Sequence, residues 1–451
     1  MLIRLIVDNF FSIAEEKSFD MLPNEKLSKL NHHKLRAAGI DLLKLGVLYG
    51  ANAAGKSTLV KALAVLQRVI TKGETISRYD LVHHRFGKER SRPITLGVEF
   101  ISGETAYLYA IQFGENEVLA EELYRSGLGK KDDELIFSRS SGIEGHTVKF
   151  SKAFNAKKEN EVLKSVLIKS IIKPDTPIFK LLTTLDVAEL APVTEALTWF
   201  TETLHVVNPK QNAIGLAYRM SVDKEFAAFS KSVIQAYHVG VKDIIVESTS
   251  IQDFFGKDDL DQINRLVTEL KSRRNSFISS RTKAGEEVSI MMENGLPVVK
   301  QIKIIHSSQA GDQSFTMTEE SDGTQRLFDF LPAFQKVTAE PKVFVIDEIE
   351  SSIHPVLIKE LVRKFSHDKN TQGQLIMTTH ESNLLDQKLF RRDEIWFVEK
   401  DQFGATDLYS LNKFKEHHTI DIRKGYLNGR YGGIPFTGNL VDLNWHEYDT
   451  V

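Results

Sequence analysis

Short unbroken apolar runs recur near both ends of the chain: "LLKLGVLYG" at 42–50, "VFVIDE" at 343–348, "LIMTTH" at 375–380 and "EIWFVEKD" at 394–401. Such Val, Ile, Leu and Phe runs suit strands of a parallel sheet covered on both faces. Their wide separation predicts one sheet assembled from distant parts of the sequence. Helical periodicity follows them, over Ser57 to Val69 and Leu357 to Phe365, so the two ends together predict an α/β layer structure.

The middle has a different rhythm. Apolar residues fall at helical spacing at Val193, Leu197, Phe200 and Leu204, at Phe226, Phe229, Val233 and Tyr237 before Gly240, and at Leu260, Ile263, Val267 and Leu270. Residues 286–305 alternate instead, with Val288, Ile290 and Met292 before "NGLP" and Ile302 and Ile304 after it, which predicts a hairpin returning to the sheet. The expected organisation is therefore 1–150 as one half of a core, 151–285 as a mainly helical insertion and 286–451 as the other half. No heptads are sustained, and no internal repeat or low-complexity segment stands out.

Composition narrows this picture. A chain of 451 residues that is 41% hydrophobic can bury one large core or several smaller ones. A net charge of −3 excludes a wholesale basic surface, so any nucleic-acid contact must be a local patch. The absence of cysteine excludes disulfides, thiol catalysis and Cys-ligated zinc, and suits a reducing compartment. Arg4 and Asp8 interrupt the apolar start "MLIRLIVDNFFSI", which reads as a strand rather than a signal peptide. No run of ~18 apolar residues occurs, so no membrane partner and a cytoplasmic location are expected.

The strongest chemical signal is "GANAAGKST" directly after the strand "LGVLY". It matches the phosphate-binding pattern G-x-x-x-x-G-K-[ST] in its strand-loop-helix setting. Gly50 and Gly55 let the backbone aim N–H groups at phosphate oxygens, with Asn52 inside the loop and Thr58 just after it. Lys56 neutralises terminal phosphate charge, and Ser57 is placed for Mg²⁺. "KVFVIDEIE" supplies the complement: Asp347 to hold the metal through water, and Glu348 to orient or deprotonate an attacking water. His380, ending "LIMTTH", could hydrogen-bond a γ-phosphate or be a structural strand-end residue. In "EESDGTQRL", Ser321 is suited to cap the helix bearing Leu327, Phe330, Leu331 and Phe334, and Gly323 exposes its first N–H groups; this is an anion-binding lip or an ordinary capped helix. Pro332 should kink or end that helix near Leu331.

In order along the chain, these motifs resemble the ABC-type ATPases, in the branch of RecF, the SMC proteins and the OLD-family ATPases. "LIVDNFFSI" at 5–13 looks like the opening strand motif of that branch, and "DEIESSIHP" resembles its Walker B strand and D-loop. "DEIWFVEKD" and "KGYLNGRYGGIPF" are similar to the carboxyl-terminal pattern of compact RloA/AAA15-type ATPases of anti-phage operons, with the PARIS-type ATPase subunit a relative. About 200 residues at the two ends carry the resemblance. It implies an ABC-type ATPase head, a mixed sheet with a P-loop core and N-terminal antiparallel strands, interrupted by a mainly helical insertion. It also implies ATP and Mg²⁺ as ligands and at least a homodimer, in which Ser321 and Gly323 of one copy contact the γ-phosphate bound by the other. Ser-Asp-Gly-Thr departs from the transporter signature, and Gln112 is a candidate for the Q-loop glutamine or a surface residue.

Two functions follow from the resemblance: an oligomeric ATPase controlling a separately encoded effector, a nuclease for example, in anti-phage defence, or a RecF-like DNA-binding ATPase of repair or chromosome maintenance. A self-contained OLD-type nuclease would need an Asp-x-Asp metal motif, and none occurs in 381–451. The basic stretch "KSRRNSFISSRTKAG", with Lys271, Arg273, Arg274, Arg281 and Lys283, could meet nucleic acid or an acidic partner, or be a solvated face.

Overall fold

The computed structural model describes residues 1–451 except 87–91, 143–144, 210–211, 238–239, 257–259, 273–276, 283–284, 415–420 and 435–451. The chain divides into two units: Met1–Asn208 with Glu340–Ile349 and Ser366–Val451, and Pro209–Ala339 with Glu350–Phe365.

The first unit holds the sheet expected from the apolar runs. Its strands lie in the order Leu204–Val207, Val343–Ile346, Gln374–Thr379, Leu45–Tyr49, Ile395–Lys400 and Thr406–Ser410. The first five are parallel and the last is an antiparallel edge. Every residue of the central strand Leu45–Tyr49 is buried, as its unbroken apolar sequence requires. The helix Lys56–Lys72 follows and turns Leu59, Leu63, Leu66 and Ile70 inward; it ends at Gly73, whose φ of 60° lets its N–H reach the Val69 carbonyl.

A second, antiparallel sheet of seven strands belongs to the same unit: Gly145–Phe150, Glu134–Gly142, Val118–Arg125, Thr105–Phe113, Ile94–Ser102, Leu2–Asp8 and Lys17–Asp20. Leu5, Val7 and Val98 from this sheet share one core with Leu63, Val345 and Ile376. Gln374, fully buried, links the layers: its Oε1 accepts the Leu2 N–H at 2.6 Å, and its Nε2 donates to the carbonyls of Leu2 and Leu43, each at 3.0 Å. A second buried link joins His33 Nδ1 to Glu394 Oε1 at 2.9 Å. Burial first, and then the nearby Arg391 guanidinium, push the His33 imidazole down to about 3.

The second unit corrects three expectations. The strands Glu287–Glu293 and Leu296–Ser308 do form a hairpin, with Asn294 and Gly295 both at positive φ as a tight two-residue turn demands. They join a separate antiparallel sheet with Val241–Ser250, Ile278–Arg281 and Gly311–Thr316 rather than the P-loop sheet. The observed division also leaves residues 151–208 with the first unit and 286–339 with the second, because strand pairing rather than helical content sets it. Finally, Asp322–Ala339 is helical through Pro332. The ring removes one hydrogen bond, but the helix does not end near Leu331; burial of Phe330, Leu331, Phe334 and Val337 keeps the chain helical on both sides of Pro332.

Among the described residues, no helix is long and apolar enough to cross a membrane.

Candidate nucleotide site

Ligands of parallel α/β sheets bind at the carboxyl ends of the strands. Here the Leu45–Tyr49 strand ends in the loop Gly50–Gly55, Val343–Ile346 ends at Asp347 and Glu348, and Gln374–Thr379 ends at His380. Two of the loop's glycines are fixed by their surroundings. A Cβ at Gly50 would lie 2.3 Å from the Val398 carbonyl oxygen. Gly55 has a φ of 114°, and a Cβ there would lie 2.2 Å from Thr406 Oγ1.

Lys56 is buried, with its Nζ donating to the carbonyls of Gly50 at 2.8 Å and Ala51 at 2.9 Å. The Ser57 hydroxyl donates to Asp347 Oδ1 at 3.2 Å, which brings the two expected metal-binding residues together. The same carboxylate oxygen accepts the Thr378 hydroxyl at 2.5 Å, and that hydroxyl accepts the Glu348 N–H at 2.8 Å. Glu348 sits at a φ of 50°, uncommon for a side-chain-bearing residue, and Thr378 ties its backbone there.

A cavity of about 630 Å³ opens over the loop, lined by Asn52 to Thr58, Phe11, Arg85, Glu348, His380 and Lys400 among others. That volume falls within the roughly 300–1,000 Å³ typical of small-molecule sites. Glu348 is half-buried and His380 exposed on its wall. A neighbouring space of about 580 Å³ shares Asn52, Ala53, Ala54, His380 and Lys400 and continues to Tyr426 and Gly433. That carboxyl-terminal segment is seated by Phe397, whose ring stacks on Tyr426 at 5.7 Å and on Tyr431 at 5.6 Å. Pro435 and Phe436 of the "KGYLNGRYGGIPF" pattern lie outside the described residues.

Several residues of this site escape sequence reasoning. Behind the loop, Ser12 Oγ lies 3.0 Å from Thr58 Oγ1 and accepts the Thr406 hydroxyl at 2.8 Å, so three hydroxyls from distant segments buttress the helix start. Thr378 is one of two threonines that close the fully buried strand Gln374–Thr379 after the apolar run Leu375–Met377. Thr406 has no signal in the sequence. Gln112 lies within the strand Thr105–Phe113, paired with Thr95 and Ala120, and does not line the cavity.

Ser321 and Gly323 belong to the second unit. Ser321 caps the helix as expected, its Oγ accepting the Thr324 N–H at 3.2 Å. A Cβ at Gly323 would lie 2.8 Å from the Ser352 carbonyl oxygen, so close packing against the loop after Glu348 already requires glycine. In the basic stretch, Lys271 closes the helix Leu260–Ser272 and Arg281 ends the strand Ile278–Arg281; Arg273, Arg274 and Lys283 lie outside the described residues.

Residues 45–386 match the family described as "AAA domain, putative AbiEii toxin, Type IV TA system". The chain belongs to this AAA-domain family. The match runs from the first residue of the P-loop strand to beyond His380, so every element of the nucleotide site except the amino-terminal and Lys400–Gly433 walls lies within the AAA domain. No curated protein matches the chain. Three SMC head structures are distantly similar. One is bound to the C-winged helix domain of ScpA (11% identity, 91% of this chain and 97% of that chain, TM-score 0.41). Another is the head domain from Thermotoga maritima (10%, 91% and 98%, TM-score 0.37). The third, with an extended coiled coil, is bound to the C-terminal domain of ScpA derived from Pyrococcus furiosus (12%, 95% and 98%, TM-score 0.39).

Proposed function

We propose that this AAA-domain protein is an ABC-type ATPase that hydrolyses ATP, and that its ATP-dependent association controls a separately encoded effector in anti-phage defence. The observation that carries the catalytic part is the linked set Ser57, Asp347, Thr378 and Glu348 beside a complete phosphate-binding loop. The loop N–H groups and Lys56 hold the phosphates. Ser57 and Asp347 present adjoining oxygen donors of the hard type that Mg²⁺ takes, and the ion supplies charge neutralisation on the phosphates when bound. Glu348, on the cavity wall, orients the attacking water and draws its proton, while His380 contacts the terminal phosphate.

The mutational test separates binding from chemistry. Lys56→Ala should abolish ATP binding, whereas Glu348→Gln should bind ATP and hydrolyse it at least ~10²-fold more slowly. Equal turnover by wild type and Glu348→Gln removes Glu348 from the mechanism.

For the biological output, the family description, which names a type IV toxin–antitoxin system, supports a defence setting. Ser321 and Gly323 of one copy would then complete the ATP site of another, making the active form at least a dimer. ATP can govern an effector only if the associated and separated forms bind it differently. Purification with the natively neighbouring genes, with and without ATP, and phage challenge of cells carrying wild type or Lys56→Ala test this reading. No co-purifying effector, unchanged phage sensitivity and a DNA-stimulated ATPase would replace it with a RecF-like role.

A further inference from the structure

Of the four central parallel strands, three deliver recognised chemistry at their carboxyl ends: Asp347 and Glu348, His380, and the phosphate-binding loop. The fourth, Ile395–Lys400, lies directly beside the loop strand, with Ile395 paired to Val47 and Phe397 to Tyr49, and it ends at Lys400. We propose that the Lys400 ammonium is a second phosphate-binding cation of the nucleotide site.

Lys400 is exposed and, among the described residues, makes no side-chain hydrogen bond or ion pair. Its acidic neighbours are engaged elsewhere. Glu399 Oε2 accepts the Gly433 N–H at 2.9 Å, and Asp401 Oδ1 accepts the N–H groups of Phe403 at 2.8 Å and Ala405 at 2.9 Å. By contrast Lys17, beside the same edge of the sheet, is paired with Asp407 at 2.7 Å. An ammonium left without a protein anion suits a ligand anion.

Position and charge agree. Lys400 lines both spaces that share the loop tip Asn52–Ala54, so it straddles the segment over which a polyphosphate must lie. A triphosphate with Asp347 and Glu348 carries more negative charge than one divalent cation and Lys56 neutralise. Among the described residues of that wall, Arg85 is a further cation, on the 82–86 segment beside Phe11, where the Phe11 N–H meets the Val82 carbonyl at 2.7 Å. Lys400 is the cation carried by the sheet itself. A lysine suits this role as a mobile point charge on a long stem.

The inference rests on the proposed nucleotide site, and the test distinguishes the two. Binding of Mg·ATP and Mg·ADP by wild type, Lys400→Ala and Lys400→Arg is titrated with a fluorescent nucleotide, alongside the nucleotide-free melting temperature. Lys400→Ala should weaken Mg·ATP about tenfold, the scale of one partly screened charge pair, with Lys400→Arg recovering most of the loss. The nucleotide-free melting temperature should not move, because among the described residues no side-chain hydrogen bond or ion pair is removed. Unchanged Mg·ATP affinity in Lys400→Ala, or an Arg variant as weak as the Ala variant, overturns the assignment while leaving the site intact. Failure of the wild type to bind Mg·ATP overturns the site and Lys400 with it.

Discussion

Replacing Thr378 by valine keeps the shape of a fully buried side chain and deletes one hydroxyl, so its effect can be worked from two distances. That hydroxyl donates to Asp347 at 2.5 Å and holds the Glu348 N–H at 2.8 Å. A hydrogen bond to a charged group contributes about 1.5–3 kcal/mol and a neutral one about 0.5–1.5 kcal/mol. Asp347 retains the Ser57 hydroxyl at 3.2 Å, which places the stability cost at about 2 kcal/mol rather than at the full sum. The catalytic cost has a separate origin. Without Thr378 the Glu348 backbone is freed from its φ of 50° and relaxes toward ordinary values, carrying the carboxylate away from the terminal phosphate. Misplacement of this kind should slow single-turnover hydrolysis about 10- to 100-fold while Mg·ATP affinity, which under the proposed site rests on the loop, Lys56 and Lys400, stays within about threefold. Thr378→Ser, which restores the hydroxyl, should recover most of the rate. Wild-type turnover in Thr378→Val, or loss of affinity and rate together, would show that Thr378 does not position the base.

Two further outcomes reach beyond that residue. Mixing Lys56→Ala chains with Ser321→Arg chains should return partial ATPase activity, because a two-site dimer then holds one pocket with both lesions and one with neither; verified mixed dimers without recovery would place the action of Ser321 within one chain or require both sites to fire. For pH, folded His33 stays neutral down to about 3 whereas the unfolded residue protonates near 6.5. The unfolded chain therefore binds the extra proton between these values, so the contribution of His33 is intact above pH 6.5 and is lost as pH falls. Against His33→Gln in urea unfolding, the wild-type advantage should shrink by up to about 1.4 kcal/mol per pH unit below 6.5, and an advantage equal at pH 7 and 5.5 would refute the assignment.

Four of the five parallel strands were legible because double burial makes them continuous apolar runs with a reactive residue at the end. The fifth, Leu204–Val207, was hidden: Leu204 continues the helical spacing of Val193, Leu197 and Phe200, and only its pairing with Val343–Ile346 makes it a strand. Turn chemistry at Asn294 and Gly295 fixes the register of the hairpin at 287–308 but not its partner, so the sequence predicts the hairpin while only the fold shows that it pairs with Val241–Ser250 rather than with the P-loop sheet. The loop motif and Asp347 were legible from spacing. Ser12, Thr378 and Thr406 reach the site only through tertiary approach, and single hydroxyls leave no periodic trace; Lys400 ends a legible strand, but nothing in its sequence marks it as part of the site.

The way the P-loop sheet is stitched has a consequence for synthesis. Gln374 closes onto Leu43 across 331 residues, and the Leu45–Tyr49 strand pairs with Gln374–Thr379. At roughly 5–20 residues per second, a ribosome needs roughly 15–65 seconds to supply that partner. During this interval a five-residue apolar strand, every residue of which ends up buried, waits with unpaired edges. The sheet of the second unit spans only Val241 to Thr316 and can pair much sooner. Early folding there shortens the effective tether between the two halves of the head and lowers the entropy of closing it. A lesion that unfolds the second unit should therefore act first as an aggregation defect of nascent chains, before any mature nucleotide site exists to be impaired.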